Sequence, residues 1–321
     1  TGPVIGRPKS APFRTVDVVG LDTLVHVANG IYENCPNDEA HELFKLPEFV
    51  NKMMENKWLG SKTGQGFYKK EGKDILTLDL DTLEYRANKK ASFATLELTK
   101  TIEKPIDRFK VLVTGKDKAG DFYRKNFASM FQYCSNRIPE ITDAFYKIDD
   151  AMKAGFGWEN GPFEIWDAIG IEKGIELMKA EGYQPASWVT DMLASGNTSF
   201  YSIKDGATHF YSITNKKVEK VPGQDAFIIL NNIRESKKIW NNSDSIITDL
   251  GDGIINLEFT SKMNSIGAGV LQGINKAIDI AEKDYNGLVI GNQGANFSVG
   301  ANLGMIFMMA VEQEYDELNM A

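Results

Sequence analysis

Hydrophobic positions recur at helical spacing through the first part of the chain. Apolar side chains follow one another at intervals of three and four residues over 21–32 and again over 49–54. This spacing places apolar side chains on one face of a helix, so both stretches are predicted to be amphipathic helices. Over 76–80, leucine instead alternates with polar residues, after a turn at 69–74. The alternation predicts a strand, and the segment therefore ends in a small hairpin.

The middle of the chain continues the helical pattern. One helix is predicted over 121–134, and apolar residues spaced over 138–148 form the stripe of the next. Asp149 or Asp150 is predicted to cap the start of a short helix that ends at Gly155. This segment therefore has more helix ahead of its hairpin than the first one does.

After about residue 235 the pattern changes. The stretch 245–259 predicts a strand, a Gly-Asp-Gly turn and a second strand. A helix with one apolar face follows over 266–281, and 287–291 predicts a short buried strand before a final apolar helix. This order of elements predicts an α/β unit, unlike the helical segments before it.

Two eleven-residue stretches of the chain are nearly the same. They read P-F-R-T-V-D-V-V-G-L-D at 12–22 and P-F-E-I-W-D-A-I-G-I-E at 162–172. Two further pairs of blocks match in the same order, namely 46–56 with 184–194 and 66–78 with 209–221. Self-similarity of this kind predicts a duplicated domain of roughly 100 residues. We expect the copies to superpose and to pack about a pseudo-two-fold axis.

The stretch between the copies is Lys-rich and predicts a connector with one strand at K-V-L-V-T. The chain begins without Met and ends in an acidic, helix-like stretch, which predicts a piece of a longer polypeptide. The predicted boundaries are 1–86 for a truncated first copy, 87–117 for the connector, 118–222 for the second copy, 223–239 for a linker and 240–321 for the α/β unit.

Composition narrows the possible partners and the compartment. The net charge of −8 argues against nucleic acid, since surfaces that bind phosphate backbones carry a basic excess. Cys35 and Cys134 suggest no disulfide framework, which favours a reducing, cytoplasmic setting. The longest apolar run, near 305–311, is too short to span a bilayer. No residue pattern points to a metal site.

The repeated motif resembles a known family. Together with K-T-G-Q-G-F-Y at 62–68, it is similar to the C-terminal helical domain of 3-hydroxyacyl-CoA dehydrogenases. The N-R-I-P-E-I tract, with 156–167, resembles a second copy. Three later stretches resemble the opening of an enoyl-CoA hydratase (crotonase) domain, namely 249–259, K-M-N-S-I and F-S-V-G-A-N-L. The implied fold class is mainly α, a duplicated helical domain with small β-hairpins, followed by a partial α/β crotonase unit.

This resemblance implies part of a bifunctional enzyme of fatty-acid β-oxidation. The parent protein would use NAD and a CoA thioester substrate, an acyl-CoA. Its nucleotide-binding domain, with the catalytic His and Glu, would precede Thr1, and the rest of the crotonase domain would follow Ala321. No G-x-G-x-x-G fingerprint is present, and no histidine matches a family motif. The chain alone is therefore expected to catalyse neither half-reaction, with residues after about 240 its least stable part.

The crotonase resemblance also implies site residues. Ala301 would supply one backbone N–H of an oxyanion hole, at the start of a helix. Ser298, Val299 and Gly300 would lie against the CoA adenine, and Lys262 near the CoA phosphates. Asn302 departs from the commoner Asp of the family but leaves the backbone donor intact. The alternative is a plain Gly-containing turn between a strand and a helix.

The dehydrogenase resemblance implies less about particular residues. Phe13 would line the acyl path, and Lys62 would meet a phosphate or stay a solvated loop lysine. Asn136 matches an Asn that approaches substrate in simpler relatives, although a structural role is favoured because the second copy is taken as structural. Phe13 and Phe163 are each expected to be buried. Glu312, Glu314 and Glu317 do not replace the hydratase glutamates.

Two other functions stay open. The duplicated domains could form a non-catalytic assembly scaffold, or the chain could be a self-contained acyl-CoA-binding protein. NADH formation from a 3-hydroxyacyl-CoA would distinguish a dehydrogenase from an assembly scaffold. Direct CoA binding by this chain would support the acyl-CoA-binding protein.

Overall fold

The computed structural model describes residues 1–89, 91–294 and 296–316. It is helix-rich, with 48% of residues in helices and 16% in strands, which confirms the mainly α prediction. The chain forms two compact units. The first comprises residues 1–201 and 211–217, and the second comprises residues 202–210 and 218–321.

Helices dominate the first unit, because its apolar residues repeat at intervals of three and four. Its α-helices are α1 Ala11–Val19, α2 Leu21–Asn34, α3 Glu48–Glu55, α4 Ala94–Thr99, α5 Pro105–Thr114, α6 Lys118–Asn136, α7 Tyr146–Phe156, α8 Pro162–Ile169, α9 Ile171–Ala180 and α10 Ser187–Ala194. The second unit contains α11 Leu230–Ile233, α12 Ala268–Asp284 and α13 Leu303–Val311.

The strands form three small sheets. They are β1 Tyr68–Glu71, β2 Asp74–Leu78, β3 Tyr85–Ala87, β4 Tyr201–Lys204, β5 Ala207–Ser212, β6 Lys217–Lys220, β7 Lys238–Asn241, β8 Ser245–Gly251, β9 Ile254–Phe259 and β10 Gly287–Ile290. The strand orders are β1-β2-β3, β4-β5-β6 and β10-β9-β8-β7. In the last sheet β10 pairs with β9 in parallel, and the other pairs are antiparallel.

The core of the first unit has an aliphatic part and an aromatic part. Around α2, α3 and the first hairpin the buried side chains are Leu21, Val50, Met53, Phe67 and Leu78. Around α5 to α10 they are mostly aromatic, and Trp166 stacks on Phe131 with ring centroids 4.8 Å apart. The eleven-residue stretches therefore start helices that lie in different surroundings.

Two predictions for the middle of the chain are wrong. The K-V-L-V-T strand is instead the end of α5, whose Pro at the first helical position favours a helix start and whose Phe109, Leu112 and Val113 are buried on one face. The stripe predicted over 138–148 is not one helix, because α7 begins at Tyr146. This helix runs past Gly155, and Asp149 lies within it rather than at its cap.

The second unit contains a four-stranded sheet that α12 covers on one face. Ile247, Ile255, Leu257, Phe259, Val270 and Ala277 form its buried core. The predicted strand–turn–strand and the following helix are confirmed by β8, β9 and α12. Strand β7 was not predicted, and the predicted boundary between the linker and the α/β unit, at 239/240, falls inside it.

Strand β10 has the predicted position but not the predicted burial. It lies at one end of the sheet order, with β9 as its neighbour. Val289 is 45% and Ile290 41% exposed, so the prediction of a buried strand is wrong. Among the described residues, no helix is both long and apolar enough to cross a membrane.

Candidate functional site

A buried carboxylate near the end of α1 ties that helix to the first hairpin. The Asp17 oxygens accept hydrogen bonds from the backbone N–H of Phe67 at 2.8 Å and of Tyr68 at 2.9 Å. Because Asp17 is shielded from water, these bonds replace the solvation that its carboxylate loses. Asp17, Phe67 and Tyr68 are called the first Asp clamp below.

The same arrangement occurs in the second half of the unit. The Asp167 oxygens accept the backbone N–H of Phe200 and of Tyr201, both at 2.8 Å. Asp167, Phe200 and Tyr201 form the second Asp clamp. Burial raises the pKa of Asp167 to about 7. The predicted match between 66–78 and 209–221 is therefore wrong, because the Phe-Tyr pair at the clamp is the earlier one.

Two Phe-Tyr pairs stand close together in the sequence, which explains the error. The N–H of Tyr211 donates to the Phe200 carbonyl at 3.0 Å, just as the N–H of Leu78 donates to the Phe67 carbonyl at 2.9 Å. Tyr211 thus takes the place of Leu78, one strand beyond the clamp. Sequence similarity alone could not choose between two identical dipeptides.

The two clamps differ in the loop that leads to them. The helices before them end alike, with Trp58 N–H on the Met53 carbonyl at 2.9 Å and Asn197 N–H on the Met192 carbonyl at 3.2 Å. Residues 59–66 lie between this helix end and the first clamp, whereas two residues lie between the equivalent helix end and the second clamp. The second loop is thus six residues shorter. The longer loop, residues 59–66, is called the extra loop below, and it contains the K-T-G-Q-G tag.

Glycine is required where the extra loop touches α1. A Cβ on Gly60 would collide with the Asp17 carbonyl oxygen, and one on Gly66 with the Asp17 carboxylate. Lys62, in the same loop, forms an ion pair with Asp22 at the start of α2. The hydrogen bond from Lys62 holds the pKa of Asp22 below its usual value. Lys62 therefore has a protein partner, and no phosphate is needed to explain its position.

The two phenylalanines of the repeated stretch have different surroundings. Phe163 is fully buried, with the rings of Phe145 and Phe200 each 5.1 Å away, as predicted. Phe13 is 46% exposed and contacts the ring of Phe67 at 4.6 Å, so its predicted burial is wrong. Helices α5, α6 and α7 pack on α8, whereas α1 contacts α2 and the turn of the extra loop.

A third buried carboxylate stabilises the start of α8. Asp149, on α7, accepts the backbone N–H of Phe163 at 2.9 Å and of Glu164 at 3.1 Å. The hydroxyl of Tyr201 also donates to it, at 2.7 Å. Burial, reinforced by the Glu164 charge, raises the pKa of Asp149 to about 7. Asp149 therefore caps α8, whereas the prediction placed it, or Asp150, at the start of the helix that ends at Gly155.

Asn136 is held by a cluster of polar side chains. Its amide donates to the Glu39 carboxylate at 2.8 Å, and Gln132 donates to the same oxygen at 2.9 Å. Arg137 binds the other Glu39 oxygen at 3.2 Å. These contacts join α6 to the loop after α2 and are consistent with the structural role favoured for Asn136.

The second unit brings five of the predicted site residues onto two neighbouring loops. The Ser298 hydroxyl donates to the Asn264 carbonyl at 2.6 Å and accepts the Gly300 N–H at 2.9 Å. The Asn264 side chain donates to the Asn296 carbonyl at 3.0 Å. Lys262 is exposed in the same turn as Asn264. Phe13, the sixth predicted residue, belongs to the first unit.

Ala301 forms an isolated parallel bridge with Ile266. The N–H of Ile266 donates to the Gly300 carbonyl at 2.9 Å, and the N–H of Asn302 to the Ile266 carbonyl at 2.8 Å. In extended chain, successive backbone groups point to opposite sides, so the Ala301 N–H points away from Ile266. Val299, just before this bridge, is half-exposed.

Asn302 fixes the start of α13. Its side-chain oxygen accepts the N–H of Gly304 at 3.1 Å and of Met305 at 3.3 Å. Asn and Asp are equally good at this capping position, so Asn302 can form the cap as well as an Asp would. The Ala301 N–H therefore lies just ahead of a capped helix, where the helix dipole favours negative charge.

Another residue that shapes these loops was missed from the sequence. Asn292 accepts the Phe259 N–H at 2.7 Å and donates to the Phe297 carbonyl at 2.7 Å, so it joins the end of β9 to the loop before α13. The Asn-rich stretch after β10 was the available signal, since Asn side chains often bond nearby backbone.

The described residues do not fit a nicotinamide cofactor. The parallel strand pair β9–β10 leads into G-N-Q-G, without the Gly-x-Gly-x-x-Gly turn that brings a pyrophosphate close to a helix start. Within the same described ranges, no group of three or more His, Cys, Asp or Glu side chains is placed to hold a metal ion.

Comparison with known proteins relates the chain to fatty-acid oxidation. Residues 4–70 match the family model of the 3-hydroxyacyl-CoA dehydrogenase C-terminal domain. A protein of Bacillus subtilis named as a probable 3-hydroxyacyl-CoA dehydrogenase is 45% identical over 320 residues, covering 99% of this chain and 40% of that protein. The resemblance to 3-hydroxyacyl-CoA dehydrogenases is therefore confirmed at the level of homologues.

Two further relatives belong to larger enzymes. A Rickettsia felis protein named as a fatty acid oxidation complex trifunctional enzyme is 24% identical over 98% of this chain and 40% of its own length. The fatty acid oxidation complex subunit alpha of Psychrobacter cryohalolentis is 30% identical over 60% of this chain and 25% of its own length. The chain thus spans about two fifths of the length of the first two relatives.

Proposed function

We propose that this chain is part of an NAD-dependent 3-hydroxyacyl-CoA dehydrogenase of fatty-acid β-oxidation that also carries an enoyl-CoA hydratase domain. The observation that carries the proposal is the 45% identity to the Bacillus subtilis protein along nearly the whole chain. The family match over 4–70 includes the first Asp clamp and supports the same assignment. NAD would be bound by a domain outside this chain, since the described residues do not fit it.

We further propose that the first unit contains a duplicated helical domain. The two Asp clamps support this, because their carboxylates accept equivalent backbone N–H groups. The loops before α1 and α8 also contact each other. The Glu159 N–H donates to the Gly6 carbonyl at 2.8 Å, and the Arg7 guanidinium lies 3.7 Å from the ring centroid of Trp158. Contact between corresponding loops is typical of packing near a two-fold axis.

The dehydrogenase proposal is tested on the protein made from the whole reading frame. Purified protein is mixed with a 3-hydroxyacyl-CoA and NAD, and NADH formation is followed by absorbance. We expect turnover that requires the CoA thioester. A protein that folds and binds no acyl-CoA, and that forms no NADH, would favour the assembly scaffold instead.

The hydratase proposal depends on the geometry at Ala301. A backbone N–H ahead of a capped helix can stabilise the oxyanion that develops on a thioester carbonyl. Lys262 and the Ser298–Gly300 loop would hold the CoA portion. The second oxyanion donor and the carboxylates that activate water would come from beyond this chain, so the chain alone is expected not to hydrate crotonyl-CoA.

A backbone donor is removed by proline, which has no N–H. In the whole protein, Ala301→Pro should lower crotonyl-CoA hydration by a factor of roughly 100–1000, while NADH formation is retained. Ala301→Ser keeps the N–H and is the matched control. Equal hydration by both variants would exclude Ala301 as an oxyanion donor without affecting the dehydrogenase proposal.

A further inference from the structure

A surface recess of about 360 Å³ in the first unit has one cationic group and a largely apolar lining. Its walls come from the segment before α1, from the start of α1, and from the end of α7 with the loop that follows. The lining residues used below are Arg7, Pro12, Val16, Phe156 and Trp158. This set is called the Arg7 recess. Its volume lies within the range of small-molecule sites, which are also mostly apolar with a few polar groups.

The guanidinium of Arg7 has unused hydrogen-bonding capacity. Its hydrogen bond within the described residues goes to the thioether sulfur of Met130, at 3.7 Å. The Nε atom is buried without a partner. Native structures pair nearly all buried polar groups, so this guanidinium lacks its full set of hydrogen bonds. The buried Nε is closed to the recess, whereas Arg7 as a whole is only partly buried and lines it, so a ligand would meet the terminal N–H groups.

Arg7 also has no counter-charge. Among the described residues, no carboxylate lies within ion-pair distance of its guanidinium. Its flat face lies against the ring of Trp158 instead. Burial lowers the pKa of Arg7 to about 10, which still leaves it charged at neutral pH. Thr1 lines the recess too, and among the lining residues Arg7 has the one charged side chain.

We propose that the Arg7 recess binds a medium-chain carboxylate, with the carboxylate on the Arg7 guanidinium and the alkyl chain along Val16, Phe156 and Trp158. A guanidinium presents its N–H groups as a fork that matches a carboxylate, and the stacked tryptophan holds that fork in place. The apolar walls select against small hydrated anions. This site is independent of the proposed enzymatic activities, since it contains none of the residues assigned to them.

Isothermal titration calorimetry of the protein with octanoate tests the site, with octanol and inorganic phosphate as comparison ligands. Octanoate should bind with one site per chain, and both comparison ligands should bind at least about tenfold more weakly, since each lacks one of the two required features. Binding of octanol as tight as octanoate would show that Arg7 plays no part. Equal binding of phosphate would overturn the role of the apolar wall, and absence of octanoate binding would overturn the proposal.

Two variants locate the site. Arg7→Met keeps the apolar contact with Trp158 but removes the charge, and it should weaken octanoate binding roughly ten- to hundredfold. Arg7→Lys keeps the charge but not the forked N–H groups. Its affinity for octanoate should fall between those of the unchanged protein and Arg7→Met. Arg14→Met, an exposed position on α1 outside the recess, is the control and should bind as the unchanged protein does. Unchanged affinity in folded Arg7→Met, checked by circular dichroism, would contradict the assignment.

Discussion

The two Asp clamps have the same hydrogen bonds in different surroundings. Asp17 and Asp167 each accept two backbone N–H groups from a Phe-Tyr pair. The helix of the second clamp is enclosed by α5, α6 and α7, and its Phe163 is fully buried. The helix of the first clamp leaves Phe13 46% exposed. A shared motif therefore fixes local geometry, whereas burial depends on which other helices pack around it.

The largest difference is expected from truncating the two phenylalanines. Phe163→Ala should lower the free energy of unfolding by about 3–5 kcal/mol, because it opens a cavity among closely packed rings. Phe13→Ala should cost about 1 kcal/mol, since much of that ring already meets solvent. Urea unfolding of both variants measures this. Equal losses would mean that the two sites are buried to the same degree in solution.

A second expected difference is in the response to pH. The pKa values of Asp149 and Asp167 are raised to about 7, so the folded protein binds their protons more tightly than the unfolded chain does. Their stabilising contribution is full below the unfolded pKa of about 4 and is lost as the pH rises through about 7.

Unfolding free energies measured from pH 4 to pH 8 should therefore contain a falling component on the order of a few kcal/mol. The double variant Asp149→Asn, Asp167→Asn should flatten that component, because Asn does not titrate. The matched control is Asp17→Asn, which leaves both of these carboxylates in place. The same pH dependence in the double variant would assign the effect to other groups.

A smaller effect is expected from removing one carboxylate while keeping its shape. Asp167→Asn leaves one side-chain oxygen to accept a backbone N–H, and its amide group then faces the other donor. Without its partner a buried N–H costs about 1–3 kcal/mol. Unfolding near pH 7 should show a loss of that size. A loss smaller than for Asp22→Asn, an exposed control, would contradict the clamp.

The smallest effect should come from the ion pair of the extra loop. Lys62 and Asp22 are both substantially exposed, and ion pairs of this kind add little to stability. Lys62→Met should leave thermal unfolding nearly unchanged. If Lys62→Met lowers the acyl-CoA affinity of the whole protein but leaves its stability unchanged, Lys62 contacts a ligand phosphate in addition to its ion pair with Asp22.

Element types were predictable wherever periodicity was long and uninterrupted. Helix α6 and the order β8, β9, α12 follow directly from spacing in the sequence. The V-L-V run of α5 alone predicts a strand because short apolar runs fit both structures, whereas Pro105 at the first helical position favours the helix that is observed. Burial at Phe13 could not be read from its motif, since the same motif encloses Phe163.

The candidate site was predictable in outline only. The order of motifs placed Lys262 and the loop before α13 as candidates, and hydrogen bonds between their neighbours bring the two loops together. The contribution of Asn292 depends on contacts far apart in sequence. Asp149 was recognised as a capping residue, but the helix it caps begins thirteen positions later, at Pro162.

The shorter loop before the second clamp shows that a clamp forms when six of the residues in the first loop are absent. Residues 59–66 precede the Phe-Tyr pair of the first clamp, and a loop of two residues precedes that of the second. The extra residues are therefore not needed to form a clamp. Their sequence can serve another role, such as activity, without loss of the clamp. Exchanging the two loops would separate what this segment contributes to activity from what it contributes to folding.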